Sequence, residues 1–184
     1  MKKKKSPFGL IIAALITLAV VLLVRHFHIK NFQIIEKEVL YTSGQPRGMD
    51  YTRLLYKYHI ATIINVRCVS EHRERNWYNE EITWVRKNGV NYKELPIDKS
   101  LSREKYFPDE WTQKEFLQVM SQKENLPVLV HGSSGRKRVS MLAAVWMIKS
   151  KNLTVLQTVK KVRKINDDRE LTDAEMKFIN SLAK

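Results

Sequence analysis

Cysteine is nearly absent from this chain. Its 184 residues contain one, Cys68, which excludes an internal disulfide and carries no information on redox compartment. Acidic side chains are scarce too: 19 against 33 lysines and arginines, a formal charge of +14 at pH 7. Such a balance suits attraction to anionic headgroups or phosphorylated ligands, although a basic surface also serves plain solubility. No internal repeat or low-complexity stretch follows residue 30, so the chain is not a repeat array. Charge itself is missing from Phe8 to Val24, 17 residues that follow the cluster Lys2–Lys5.

That charge-free run sits at the short end of what spans a bilayer. A cleaved secretory signal begins the same way but ends in small residues. This segment ends in Leu22-Leu23-Val24-Arg25. An uncleaved signal anchor is therefore expected over residues 8–24, with a cleaved signal as the alternative. A buried core helix fits the four leading lysines poorly. Lys2–Lys5 favour an N-terminus inside, hence a single-pass protein whose domain lies on the extracytoplasmic side. Arg25 and Lys30 pull against that bias. The expected division is residues 1–30 as basic start and transmembrane anchor, and residues 31–184 as one domain. Removing the four lysines from the formal +14 leaves +10, so the rest of the chain is basic in its own right.

Phe32–Ile35 and Glu38–Tyr41 read as short strands, followed by turn chemistry at Thr42-Ser43-Gly44-Gln45-Pro46. Met49–Tyr58 reads as a helix. Ile60–Val66 is the apolar, β-branched run of a buried central strand. Glu71–Asn88 reads as one long charged helix carrying Trp77, Ile82, Trp84 and Val85, with Gly89 as its C-cap. Asn91–Ile97 is a further strand. Thr112 and Glu115 have capping-box spacing ahead of Phe116, Leu117, Val119 and Met120. Val155, Leu156, Val159, Val162 and Ile165 recur at helical spacing beneath Lys160, Lys161, Arg163 and Lys164. Thr172 and Glu175 open a last helix. Asn152-Leu153-Thr154 matches an N-glycosylation acceptor, relevant only in a eukaryotic lumen. Strands alternating with helices before a helical C-terminal half make an α/β domain.

The stretch Val128–Arg138, VLVHGSSGRKR, carries the chemistry. Pro127–Val130 is a buried strand by composition, and Val139–Ile148 is apolar nearly all round, as a buried helix would be. The loop between them pivots on Gly132, Ser133, Ser134 and Gly135 and closes on Arg136, Lys137 and Arg138. A glycine-rich strand-to-helix loop turns its amides inward onto an anion, helped by the positive end of the helix dipole. A guanidinium at its close can hold two phosphate oxygens at once.

The order His131, Gly132, two residues, Gly135, two residues, Arg138 resembles the H-C-x-x-G-x-x-R loop of the protein tyrosine and dual-specificity phosphatases. Leu40–Pro46 is similar to the YRSGQP stretch of their compact members, and Ile63–Arg67 resembles their VINLR strand. The resemblance covers about residues 32–183. It implies a cysteine-phosphatase fold with a central, mostly parallel sheet flanked by helices. Three positions depart from the pattern: Thr42 for arginine, Gly132 for the nucleophilic cysteine, and Val139 for the usual serine or threonine. Glycine at 132 is also found in the Styx-type pseudophosphatases.

By that resemblance His131, Ser133, Ser134, Gly135, Arg136, Lys137 and Arg138 bind phosphate. Asp98 is the candidate general acid, Asp109 the second choice, and Gly132 marks the missing nucleophile. Glycine cannot form a phosphoenzyme, and Ser133 and Ser134 are poor nucleophiles without a matched base. Cys68 follows the landmark strand and is read either as a thiol near the pocket or as an inert buried cysteine. A phosphorylated protein or another phosphomonoester is the expected partner, with no cofactor, metal or nucleic acid. A pseudophosphatase is the first reading. A phosphatase with residual activity, or one inactivated by a cysteine-to-glycine change at 132, is the alternative.

Overall fold

The computed structural model describes residues 7–72, 75–97 and 107–183. In chain order it runs α1 (Pro7–Phe27), β1 (Gln33–Glu36), β2 (Leu40–Ser43), α2 (Met49–Tyr56), β3 (Thr62–Asn65), α3 (Val69–His72), α4 (Asn76–Asn88) and β4 (Asn91–Glu94). It continues with α5 (Glu110–Ser121), β5 (Val128–His131), α6 (Lys137–Lys149), α7 (Val155–Ile165) and α8 (Asp173–Leu182). The five strands form one sheet in the order β1-β2-β5-β3-β4. Only β1 runs antiparallel, against β2; the other pairings are parallel. This is the mostly parallel sheet expected from the sequence.

β5 lies at the centre because it has nothing but apolar residues to offer until His131. Successive side chains of a strand leave opposite faces of the sheet. Val128 and Val130 of β5, with Ile64 of β3 and Leu40 of β2, join the cluster built on α6, α7 and α8. Leu129, Ile63 and Tyr41 point the other way, onto Tyr51 and Leu54 of α2 and Val85 of α4. Helix α6 is buried from Arg138 to Ile148, which accounts for its nearly uniform apolar sequence. It fixes the end of the glycine loop against the core.

Several local expectations change. The long helix foreseen over 71–88 is two helices, α3 and α4. Helix α5 is capped by Asp109, whose side chain accepts from the Thr112 amide. Thr112 is buried inside the helix instead of capping it. The Thr172–Glu175 capping box forms as expected, and a second one joins Thr154 to Gln157.

The helix expected over residues 8–24 is formed and extends from Pro7 to Phe27, 21 residues. Its side chains are described over residues 9–20. Those positions rise about 18 Å, against a hydrocarbon core of about 30 Å. Among the described residues no helix is long and apolar enough to cross a membrane, so the expected span is not carried by the structure. The segment after α1 belongs to the folded body: Ile29 is buried beside Tyr41 and Tyr51, and the Gly44 amide donates to the Lys30 carbonyl at 2.7 Å.

Candidate functional site

The loop from Gly132 to Arg136 joins β5 to α6 and lines, with Lys137, Arg138 and Val139, a concavity of about 220 Å³. Its orientation follows from what holds its outer side. Lys30 Nζ donates to the Ser133 carbonyl at 3.2 Å, and Asn31 Nδ2 donates to the Ser134 carbonyl at 2.6 Å. In a planar trans peptide the carbonyl and the next amide point in opposite directions. Outward carbonyls at 133 and 134 therefore turn the Ser134 and Gly135 amides inward. Among the described residues, no backbone carbonyl accepts from the amides of Ser133, Ser134, Gly135, Arg136 or Arg138. The loop is a set of preorganised donors at a helix start, the arrangement that binds an anion.

Gly135 is required twice over. Its φ is +74°, and a Cβ there would lie 2.2 Å from the Gly44 nitrogen. The loop thus presses onto the Ser43–Gly44 peptide, and the Gly132 amide donates to the Ser43 carbonyl at 3.2 Å. Gly132 is different. It lies outside the left-handed region, and a Cβ would sit 3.3 Å from Val66 Cγ2 and 3.6 Å from Val139 Cγ1. Nothing in the backbone demands glycine at that position. A side chain there would rest against two valines.

Arg138, in the first turn of α6, is buried to 9% exposure and forks onto Glu71 of α3. Nη1 donates to Glu71 Oε2 at 2.5 Å and Nη2 to Oε1 at 3.0 Å. Nη1 also donates to the Val66 carbonyl at 3.2 Å and the Ile97 carbonyl at 3.4 Å. The guanidinium is thereby fixed in direction as well as charge-paired. Cys68 adjoins this network: its amide donates to Glu71 Oε2 at 3.1 Å and its thiol to the Ile97 carbonyl at 3.3 Å. The sole thiol is hence near Arg138, but it is buried and hydrogen-bonded.

Behind the loop, His131 is fully buried with Nε2 3.1 Å from Glu81 Oε1. The two atoms are too poorly aligned to count as hydrogen-bonded, and Nδ1 has no partner among the described residues. Their interaction is therefore electrostatic. Glu81, wholly buried on α4, accepts from Gln45 Nε2 at 3.1 Å, Tyr51 at 3.3 Å and Tyr92 at 3.0 Å. Burial alone would raise this carboxyl, but the electrostatic pull of His131 and the hydrogen bonds from Tyr92 and Gln45 outweigh it and hold it below the usual range. Burial first, then Glu81, pushes both tyrosines up.

The sign of that shift gives a test. A carboxyl whose pKa is lower in the folded state contributes stability above its unfolded pKa of about 4.3, lost as pH falls through the folded value. Denaturant midpoints from about pH 6 down to pH 3.5 should fall more steeply for the parent than for Glu81→Gln. The variant should itself be weaker at neutral pH by about 2 kcal/mol, from one mispaired buried group. Glu175, which burial raises but Arg169 and Thr172 lower more, supplies slope to both proteins. Equal slopes would sink the assignment.

Of the expected site residues, Gly132, Ser133, Ser134, Gly135, Arg136, Lys137 and Arg138 line one concavity, and His131 is buried behind it. Arg136 turns its tip away to an ion pair with Asp167, at the end of α7. Ser140, one place after Val139, donates to the Lys137 carbonyl and accepts from Asn166 at 2.9 Å. Asp98 lies outside the described residues. Asp109 is committed as a helix cap. The sequence reading did not single out Glu71, Glu81, Tyr92, Lys30 or Asn31 as site residues. A glutamate at 81, among the apolar positions of a charged helix, was the one available signal.

Set against known proteins, residues 27–160 match the model of a tyrosine phosphatase family. The fold is similar to the core catalytic domain of the PP-IP phosphatase Siw14 from S. cerevisiae in complex with citrate. That match has TM-score 0.66 and 15% identity, covering 83% of this chain and 85% of that one. It is similar to PTPMT1 in complex with PI(5)P, with TM-score 0.61, 14% identity and coverage of 83% and 94%. It is also similar to TpbA of P. aeruginosa, with TM-score 0.59, 15% identity and coverage of 84% and 89%. At these identities the likeness concerns the fold.

Proposed function

We propose, from the premise that this chain belongs to the tyrosine phosphatase family, that it binds a phosphomonoester in loop 131–138 without hydrolysing it. The observation that carries this reading is a paired loss beside an intact cradle. The inward amides and Arg138 remain, while position 132 offers no nucleophile, and a Cβ added there would lie 3.6 Å from Val139 Cγ1, where the family's serine or threonine is missing. Covalent transfer through position 132 is closed, because it needs an atom there that can bond phosphorus. Binding needs only the donors. Without a thiolate, one negative charge is also absent from beneath the phosphate.

The ligand is a phosphorylated protein or another phosphomonoester, and the PI(5)P bound by PTPMT1 makes a phosphoinositide one to include. The alternative, a phosphatase disabled by a cysteine-to-glycine change, draws on the backbone at 132, whose φ suits any residue, with a side chain there requiring Val66 to give by a few tenths of an ångström. The domain is held by a single-pass anchor in α1 and faces the extracytoplasmic side. Support comes from the charge-free run Phe8–Val24, the 21-residue backbone helix and the lysines before it.

One preparation tests these claims: the full chain, expressed in membranes and purified in detergent micelles. It should stay with the membrane pellet through an alkaline wash, bind inorganic phosphate by calorimetry, and release no nitrophenol from p-nitrophenyl phosphate. No phosphate binding would remove the site, turnover would remove the inactivity, and release by alkali would remove the anchor.

A further inference from the structure

Next to the phosphate loop, and sharing Ser133 with it as a wall, lies a second basin of about 560 Å³. Its rim carries His28, Lys30 and Arg47, with Gln45 and Asp50. Lys30 is not a loose surface lysine. Its methylenes lie over Gly44, whose Cβ would come within 2.9 Å of them, its carbonyl accepts from the Gly44 amide, and its ammonium reaches the Ser133 carbonyl. The ammonium has three N–H donors, so two remain after that bond.

Arg47 is exposed, and among the described residues no hydrogen bond or ion pair to its guanidinium is recorded. Among the described residues Asp50 is the one acid on the rim; it accepts from the Arg47 amide at 3.0 Å and pairs with Arg53 at 3.4 Å. Gln45 links the basin back to the site by accepting from Arg67 Nη1 at 3.3 Å. Arg67 Cζ sits over the Trp77 ring, 4.0 Å from its centroid. Cationic groups thus run outward from Arg138 through Arg67 to Arg47 and Lys30.

We propose that this basin is a second anion subsite, and that the loop's ligand is a phosphomonoester bearing a second phosphate that reaches Lys30 and Arg47. This rests on the phosphate-binding reading of loop 131–138. The chemistry is shared by soluble bisphosphates and by lipid headgroups, and the end of α1 at Phe27, next to His28, brings the basin close to that helix.

The experiment is calorimetric titration of the full chain in micelles with glucose 6-phosphate and with glucose 1,6-bisphosphate. The bisphosphate should bind about tenfold more tightly, the size of one charge-assisted hydrogen bond. Arg47→Gln, which leaves the Lys30–Ser133 bond in place, should bring the ratio of the two affinities toward one. Full chain in phosphatidylcholine vesicles, with and without phosphatidylinositol 4,5-bisphosphate, separates the sources. Competition by the doped vesicles against glucose 1,6-bisphosphate supports a lipid headgroup, and its absence supports a soluble ligand. Equal affinities in the parent, or a ratio unmoved by Arg47→Gln, would overturn the subsite while leaving the loop reading intact. Failure of both sugars to bind would overturn the loop reading itself.

Discussion

Gly132→Cys alone is expected to give a slow phosphatase, and Gly132→Cys with Val139→Thr a faster one. The first substitution supplies the missing nucleophile, at a position whose φ does not require glycine. Restoring a covalent route should raise turnover roughly a thousandfold or more above the parent's background. The new Cβ would still lie 3.3 Å from Val66 Cγ2 and 3.6 Å from Val139 Cγ1. An apolar wall favours the thiol over the reactive thiolate. Threonine at 139 keeps the shape and adds a hydroxyl that can donate to the sulfur. One hydrogen bond to a charged group should add about tenfold at neutral pH. The pH–rate profile of the double variant should shift to lower pH than that of the single one. An aryl phosphate is the proper substrate, since its leaving group needs little help from an acid. If Gly132→Cys alone matches the double variant, the pairing of positions 132 and 139 has no chemical meaning.

The loop was legible in the sequence because its chemistry is local. Strand, glycines, arginine and buried helix follow one another within 131–148, and β5 and α6 form where the apolar runs begin. The central strand Ile60–Val66 was legible for the same reason. What could not be read were the partners that topology supplies. Glu71 meets Arg138 across 67 positions, and Lys30 and Asn31 reach the loop across 103. Periodicity assigns a face to Glu81 but gives no hint that His131, two tyrosines and Gln45 would wait there. Turn-level detail failed where two caps competed: Thr112 had the right spacing, yet Asp109, three residues earlier, took the amide. The split of α3 from α4 was hidden because charged residues read alike in a helix and in a break.

Arg138→Ala is expected to weaken phosphate binding by a hundredfold or more, roughly the worth of a bidentate charged contact in a buried setting. Part of that loss belongs to Glu71. In the parent its carboxylate is gripped at 2.5 and 3.0 Å by the same guanidinium that faces the loop. Removing the arginine leaves that negative charge, at 10% side-chain exposure, to repel an incoming phosphate. Glu71→Gln in the Arg138→Ala background should therefore return about tenfold of the affinity. Arg138→Lys should fall between, because an ammonium keeps the charge but cannot fork onto Glu71 while also reaching Val66 and Ile97. The Val66 and Ile97 carbonyls each lose one donor in the alanine variant but keep another, the Ile97 amide and the Cys68 thiol, so the loss at these carbonyls should cost about 1 kcal/mol of stability. Titrations belong at a temperature where thermal unfolding shows every variant folded. Parent-like binding by Arg138→Ala would mean that the amides alone hold the anion. No recovery on adding Glu71→Gln would mean instead that Glu71 only orients the arginine and exerts no field of its own on the ligand.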